Sequence, residues 1–252
     1  MRARISAFIA IVQSILLLVY LALYGTLLFF FGPLRPSGRI ELGIALVILS
    51  VSFVAASLLA HLYVNWLVRA VYALSAVWLG FITFFFLAAC ACWAVYLPPA
   101  VFGIHLERRP LAALIFGLAV LAGAYSIVHA SRTRIKRVTV RLPDLPPAWK
   151  GRTAALVSDL HIGYVRNLRF LRRIVGMLAK LRPDILFIPG DLFDGMEIDA
   201  ARLAGAWAGF SAPLGAYFVT GNHEQFSSPG RYLDAVRQFG IRVLENEKIV
   251  LD

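Results

Sequence analysis

The sequence predicts a multi-span α-helical membrane domain followed by an α/β domain. The first observation is compositional, because the 252 residues are 60% hydrophobic and the mean hydropathy is +0.76. The second is that the apolar excess lies in the first half of the chain. The third is that β-branched apolar runs alternate with helical patterns in the second half, which is typical of βαβ units around a parallel sheet.

Four long stretches of the first half contain no charged side chain: residues 5–33, 42–68, 70–106 and 111–131. Each can cross about 30 Å of hydrocarbon, which takes a helix of roughly 20 residues. Lipid offers no hydrogen bonds to an open backbone, so each span must be helical. We therefore predict a four-helix transmembrane domain over residues 1–131, with spans near 7–31, 42–62, 72–97 and 111–130. Buried helices of a soluble core are a weak alternative at these lengths.

The third span carries both cysteines and two tryptophans of the membrane domain. Cys90 and Cys92 are expected to be small packing residues, not redox or metal-binding groups. Trp78 and Trp93 are expected to face lipid or the membrane interface.

Basic residues flanking the spans predict the orientation of the membrane domain. One side holds the larger set, namely Arg2, Arg4, Arg69, Arg132, Arg134, Lys136, Arg137 and Arg141. The other side holds Arg35, Arg39, Arg108 and Arg109. Cytoplasmic loops carry the excess of basic residues. We therefore expect a multi-pass protein of a bacterial inner or plasma membrane, with its soluble domain in the cytoplasm.

Residues 132–152 form a basic, proline-containing linker after the last span. Pro143, Pro146 and Pro147 prevent a continuous helix there. A basic patch can bind nucleic acid or anionic lipid headgroups. Its position beside a transmembrane helix favours lipid, so a membrane partner is expected and a nucleic-acid partner is not.

The remaining residues, 153–252, alternate between strand and helix patterns. Strands are predicted at 153–158, 185–189, 216–220 and 241–244, with a fifth beginning at 249–251. Helices are predicted from Asn167 to about residue 181, over 200–209, and from Pro229 to Gly240. We expect a parallel sheet covered by helices on both faces.

Polar motifs follow the first three predicted strands. They place side chains of metal-ligand type at the strand ends: Asp159 and His161, then Asp191 and Asp194, then Asn222 and His223. The carboxyl ends of parallel strands meet at one edge of a sheet, so we expect these side chains to lie together. Carboxylate, imidazole and amide oxygen suit divalent manganese, iron or zinc. A carboxylate on a central strand can bridge two such ions about 3.5–4 Å apart.

Two glycines and one histidine complete this interpretation. Gly190 and Gly221 remove side chains where the backbone turns sharply and ligands approach each other. His223 is then free to hold a phosphate oxygen or to protonate a leaving alkoxide.

The motifs D-x-H, G-D-x-x-D and G-N-H-E, in this order and each after a strand, resemble those of the calcineurin-like metallophosphoesterase superfamily. The membrane-embedded first half is similar to that of transmembrane metallophosphoesterases. For residues 153–252, the resemblance implies the amino-terminal half of a metallophosphoesterase-type β-sandwich with flanking helices.

The resemblance also implies a role for each matching residue. Asp159 and His161 would bind a first metal ion, Asp191 would bridge both ions, and Asn222 would bind the second. His223 would be the catalytic acid or transition-state stabiliser, oriented by Asp194, with Glu224 as a supporting residue that binds no metal.

The family pattern includes further metal-binding histidines downstream, one alone and two in a G-H-x-H motif. No histidine follows His223 in this chain. We therefore expect the chain to be truncated at its carboxyl terminus, the second metal site to be incomplete and turnover to be slow or absent.

Two functions from different classes remain open. One is a membrane-anchored dimetal phosphoesterase that uses metal-activated water on a phosphomonoester or phosphodiester, including one linked to lipid. The alternative is a non-catalytic membrane protein whose degenerate phosphoesterase-like domain serves binding or regulation. Four arginines near the first strand are expected to form a solvated or membrane-facing surface in preference to a phosphate clamp: Arg166, Arg169, Arg172 and Arg173.

Overall fold

In the computed structural model, the chain divides into two units, Met1–Thr133 and Arg134–Asp252. The structure describes residues 2–63, 65–194, 202–203, 205–226 and 229–251.

The first unit consists of four helices that are long and apolar enough to cross a membrane. They are α1 (Arg2–Phe31), α2 (Pro36–Leu62), α3 (Trp66–Val101) and α4 (Arg108–Ala130). This confirms the four predicted helices. Asn65 caps α3 by accepting a hydrogen bond from the Val68 N–H at 2.9 Å, which explains where that helix begins.

Trp78 and Trp93 are partly buried and pack against other helices of the first unit, so they do not simply face lipid; their place at the membrane interface stays a prediction. Trp78 packs on the cluster that includes Tyr20 and donates its indole N–H to the Tyr20 hydroxyl. Trp93 packs on the cluster that includes buried Cys92 and donates to Thr26 Oγ1 at 3.0 Å. An indole N–H in hydrocarbon needs a partner, and hydroxyls on α1 supply it.

The second unit contains a four-stranded parallel sheet. Its strands are β1 (Ala154–Leu156), β2 (Ile185–Pro189), β3 (Ala216–Val219) and β4 (Ile241–Val243), and they lie in the order β1-β2-β3-β4. Four of the predicted strands are thus confirmed. The fifth is wrong, because residues 249–251 form no strand and have no ladder partner in the described part of the chain.

Three described helices accompany the sheet: α5 (Leu168–Leu181), α6 (Asn222–Phe226) and α7 (Pro229–Arg237). As predicted, Asn167 caps α5, accepting from the N–H groups of Arg169 and Phe170. Arg182 ends α5 in a left-handed conformation, with φ +47°, directly before a proline. In the helix predicted over 200–209, residues 200, 201 and 204 lie outside the described residues. The described part is helical at residues 202–203 and forms a 3₁₀ turn at Gly205–Trp207.

The sheet is covered on one face within the described residues, not on both as predicted. Leu186, Ile188 and Phe218 share the buried face, with 0%, 1% and 0% of their surface exposed. Leu156, Phe187 and Tyr217 form a row of register partners on the other face, and Leu156 is 70% exposed. The strand order explains this, because right-handed crossovers between sequential neighbours all fall on one side.

Candidate metal centre

The turn after β1 holds Asp159 and His161 in left-handed backbone conformations, with φ +55° and +44°. Such conformations cost about 1–3 kcal/mol each for residues other than glycine and persist only where surrounding contacts fix them. The Asp159 N–H donates to the Gly190 carbonyl at 3.4 Å, and the His161 N–H donates to the Asp191 carbonyl at 3.0 Å. The first turn is therefore built on the loop that follows β2.

The loops after β2 and β3 touch at two glycines. A Cβ at Gly190, where φ is +93°, would lie 2.7 Å from the Gly221 backbone nitrogen. A Cβ at Gly221 would lie 2.1 Å from Asp191 Oδ1. Neither position admits a side chain, which confirms the prediction that these glycines let the backbone and ligands approach closely.

Glu224 ties these two loops together from inside the unit. Its side chain is fully buried. The carboxylate accepts hydrogen bonds from the backbone N–H groups of Asp191 at 3.0 Å, Phe193 at 2.9 Å and Gly221 at 2.8 Å. Such charge-assisted bonds are short and strong, and they compensate for burying the carboxylate. The supporting role that the resemblance implies for Glu224 thus has a structural basis.

Asp194 lies between two imidazoles. Its Oδ1 is 3.8 Å from Nδ1 of His161 and 3.8 Å from Nδ1 of His223. The two imidazole rings meet edge to face, with centroids 4.4 Å apart. His223 Nδ1 also lies 3.2 Å from the Asp194 carbonyl oxygen. The arrangement positions both rings around a single carboxylate.

Burial raises the pKa of the Asp194 carboxyl above its usual value. The positive charges of His161, His223 and Arg166 act in the opposite direction but do not outweigh the loss of solvation. Additional positive charge at the site would favour the ionised form of this carboxyl group.

Two groups of metal-ligand side chains meet at this edge of the sheet. One consists of Asp159, His161 and Asp191, the other of His161, Asp194 and His223. Within each group the ligand atoms lie within 4.8 Å of one another. Carboxylate oxygens and imidazole nitrogens are donors that divalent transition ions accept. The donor set therefore fits a divalent metal.

All five carboxylate and imidazole residues of the predicted site belong to these groups. The sixth predicted residue, Asn222, offers an amide oxygen instead. Asn222 is the first residue of α6 and its side chain is exposed. It follows Gly221 directly, and the next residue, His223, donates its backbone N–H to Asp191 Oδ1 at 3.0 Å. The role of Asn222 as a ligand stays a prediction.

The structure adds a residue that the sequence analysis assigned to a solvated surface. Arg166 precedes the cap of α5 instead of lying on the helix. Its Nη1 donates to the carbonyl oxygens of Asp159 at 3.0 Å and Leu160 at 3.3 Å. The available signal was its place in the short loop between the D-x-H motif and Asn167, where a side chain can fold back onto the motif.

The fold and the site define an integral membrane protein whose second unit carries a metal-ligand centre at its strand ends. Comparison with known proteins supports this class. Residues 153–250 match the calcineurin-like phosphoesterase family. This match lies in the second unit, and the likeness to membrane-type metallophosphoesterases is supported by relatives that carry such a name. Members of the family typically bind divalent metals.

Several curated relatives match part of the chain. The chain is 33% identical over 137 residues to an uncharacterized metallophosphoesterase of Aquifex aeolicus, covering 54% of this chain and 51% of that protein. It is 34% identical over 142 residues to a transmembrane protein with metallophosphoesterase domain of Danio rerio, covering 55% and 32%. A more distant match is UDP-2,3-diacylglucosamine pyrophosphatase LpxG of Chlamydia trachomatis, 29% identical over 92 residues, covering 36% and 28%.

The chain spans about half or less of the length of these curated relatives. No solved structure matches it at a significant level.

Proposed function

We propose that this chain acts as a membrane-anchored phosphoesterase that hydrolyses a phosphomonoester or phosphodiester with two divalent metal ions. The observation that supports this most directly is the meeting of two carboxylate–imidazole groups, which share His161, at the carboxyl edge of the sheet. In open parallel sheets this edge is where ligands bind.

Four side chains have a role toward the metal ions in this proposal. Asp159 and His161 would hold the first ion, Asp191 would bridge both ions and Asn222 would contribute to the second. The donor types allow manganese, iron or zinc. When bound, such ions supply a water-derived nucleophile at neutral pH and withdraw charge from the phosphate oxygens.

His223 is proposed to act on the substrate itself. Its Nδ1 faces Asp194, and we assign its Nε2 to a phosphate oxygen or to the leaving alkoxide, which it would protonate. Asp194 would keep this ring in one orientation.

The substrate is proposed to be lipid-linked and to be reached from the membrane surface. Four apolar helices precede the domain, and one relative is named a pyrophosphatase of a diacylated sugar nucleotide. The distribution of basic residues favours a cytoplasmic domain in a bacterial inner or plasma membrane. The basic linker of residues 132–152 would then lie close to anionic headgroups.

The experiment uses the full chain in detergent micelles. The same measurements are made on the protein that the complete reading frame of its gene encodes. Hydrolysis of p-nitrophenyl phosphate and bis(p-nitrophenyl) phosphate is measured with Mn²⁺ and with EDTA, and then with diacylated esters in mixed micelles. We expect slow Mn²⁺-dependent hydrolysis, since the second metal site is expected to be incomplete. Asp191→Asn should lower it by more than about a hundredfold, beyond the range for residues outside the ligand set.

Asp234→Asn is the matched control, because Asp234 is an exposed carboxylate on α7 that pairs with Arg237 at 3.3 Å. Hydrolysis that survives Asp191→Asn unchanged would refute the proposal. Mn²⁺ binding that requires Asp191, without hydrolysis of any ester, would support the non-catalytic alternative.

A further inference from the structure

Arg166 is the cation closest in sequence to the D-x-H turn, and it contacts that turn directly. Its Nη1 donates to two successive carbonyl oxygens, those of Asp159 and Leu160. Because a guanidinium presents several donors in a rigid plane, it can hold two acceptors in a set relation to each other.

The hydrogen bonds from Arg166 complement those that the N–H groups of the turn make on its other side. The N–H groups of Asp159, His161 and Ile162 donate to the loop after β2, at 3.4, 3.0 and 2.9 Å. The carbonyls of Asp159 and Leu160 are held by Arg166. Together these bonds fix both polar sides of a backbone that is left-handed at two residues.

The guanidinium is itself held in place. The Gly163 N–H donates to the Arg166 carbonyl at 2.7 Å, which closes the short loop between the turn and α5. The Arg166 guanidinium carbon lies 5.2 Å from the centre of the Phe170 ring on α5, within the range of a cation–π contact. The side chain therefore links the first turn of α5 to the metal-ligand turn.

We infer that Arg166 is a positioning residue, which fixes the D-x-H turn so that Asp159 and His161 present their ligand atoms together to a divalent metal ion. This inference rests on the proposed function, since it concerns the same centre. It assigns Arg166 a different role from the solvated surface predicted for it and its neighbours on α5.

A purely electrostatic role of Arg166 and a positioning role predict opposite changes in metal affinity when the side chain is removed. The direction of that change therefore tests the inference. Arg166 is near enough to Asp194 for its charge to act on that carboxyl. A cation in this place repels a divalent ion, so removing the charge would strengthen metal binding if charge were its only effect. Removing a positioning contact weakens metal binding instead.

The test measures Mn²⁺ binding by titration calorimetry on the full chain in detergent. Arg166→Met keeps an unbranched apolar stem over Phe170 and removes the donors. We expect Mn²⁺ affinity to fall about tenfold to a hundredfold, the range for residues that orient metal ligands from outside the ligand set. Arg166→Lys should recover part of the loss, because an ammonium can still donate to a carbonyl.

Arg172→Met is the control, because Arg172 is an exposed residue of α5 with the same charge. Its Mn²⁺ affinity should equal that of the unaltered chain. Added guanidinium chloride at millimolar concentration should restore Mn²⁺ affinity to Arg166→Met and leave the control unchanged, a rescue that general destabilisation would not show. If Arg166→Met does not fold, an intermediate affinity of Arg166→Lys carries the same conclusion.

Equal or tighter Mn²⁺ binding by the Arg166 variants would overturn this inference alone. The proposed function would fail separately, through hydrolysis that does not depend on Asp191. Absence of Mn²⁺ binding in the unaltered chain would overturn both.

Discussion

The two units of this chain place apolar side chains in opposite ways. In the first unit, Leu18, Leu74 and Leu121 are 66%, 71% and 66% exposed. In the second, Leu171 and Leu186 are fully buried. The difference follows from the solvent, because lipid accepts apolar surface and water does not. Burial of apolar side chains therefore stabilises the second unit, whereas the first unit depends more on close packing and hydrogen bonds between its helices.

The polar side chains differ in how many groups each one binds. In the first unit, Trp78 and Trp93 each donate one hydrogen bond to a hydroxyl on α1. In the second, the Glu224 carboxylate alone accepts hydrogen bonds from three backbone N–H groups in two loops. A change in the second unit's loops thus disturbs several segments at once. We expect the largest effects there.

The largest effect is expected for Gly221→Ala. The new Cβ would meet Asp191 Oδ1 at 2.1 Å and the Asp191 backbone nitrogen at 2.7 Å, and backbone cannot move aside cheaply. We expect a loss of more than about 3 kcal/mol in the unfolding free energy of the second unit, above the usual cost of overpacking. Chemical denaturation followed by tryptophan fluorescence measures it.

Gly176→Ala is the control within the same unit. Gly176 lies in α5, and a Cβ there meets nothing within 4 Å. It should be neutral or stabilising by up to about 1 kcal/mol, because alanine is the better helix former. Equal stability of the two variants would mean that the loops do not meet at Gly221 as described.

A smaller but still substantial effect is expected for Glu224→Gln. The amide group of glutamine turns a donor toward backbone N–H groups that now donate to a carboxylate. Leaving such a buried donor without an acceptor costs about 2 kcal/mol. Hydrogen exchange at the amides of Asp191, Phe193 and Gly221 should accelerate together. Glu245→Gln, which alters an exposed ion pair with Arg237, should leave these amides unchanged.

In the first unit, Gly123→Ala should have a milder effect. Its Cβ would lie 2.6 Å from Cε1 of the Phe81 ring, a side chain that can shift. We expect a cost of about 1 kcal/mol, at the low end for overpacking. Gly117→Ala on the same helix meets nothing within 4 Å and serves as the control. Unfolding in mixed SDS micelles compares the two, and a larger loss than for Gly221→Ala would reverse the comparison between the units.

Local patterns were sufficient for the four helices of the first unit and for β1 to β4 of the second. Charge-free windows of span length predicted the four helices, and short β-branched runs before polar motifs predicted β1 to β4. The start of α5 at Asn167 and its end near residue 181 were also predicted, because capping depends on a few neighbouring residues.

Contacts between distant segments could not be predicted in this way. The sequence shows that Trp78 is aromatic, but it does not show that the hydroxyl of Tyr20 on α1 accepts its indole N–H. It shows the three strand ends but not the sequential strand order that leaves one sheet face open. Arg166 was missed for the same reason, since its role depends on how a loop folds back onto the turn.

The smallest effect is expected at Asp184, beside the start of β2, and depends on pH. The Thr153 backbone N–H, which donates to Asp184 Oδ2 at 2.7 Å, and next the Arg152 guanidinium lower the pKa of the Asp184 carboxyl from 3.8 to about 2. A depressed folded-state pKa adds stability that is complete above about pH 4 and is lost as the pH falls toward about 2. The thermal midpoints of the unaltered chain and Asp184→Asn should therefore converge over this interval. Arg152→Gln should keep most of the pH dependence, because the Thr153 bond is the larger cause, and its complete loss would show that the ion pair dominates.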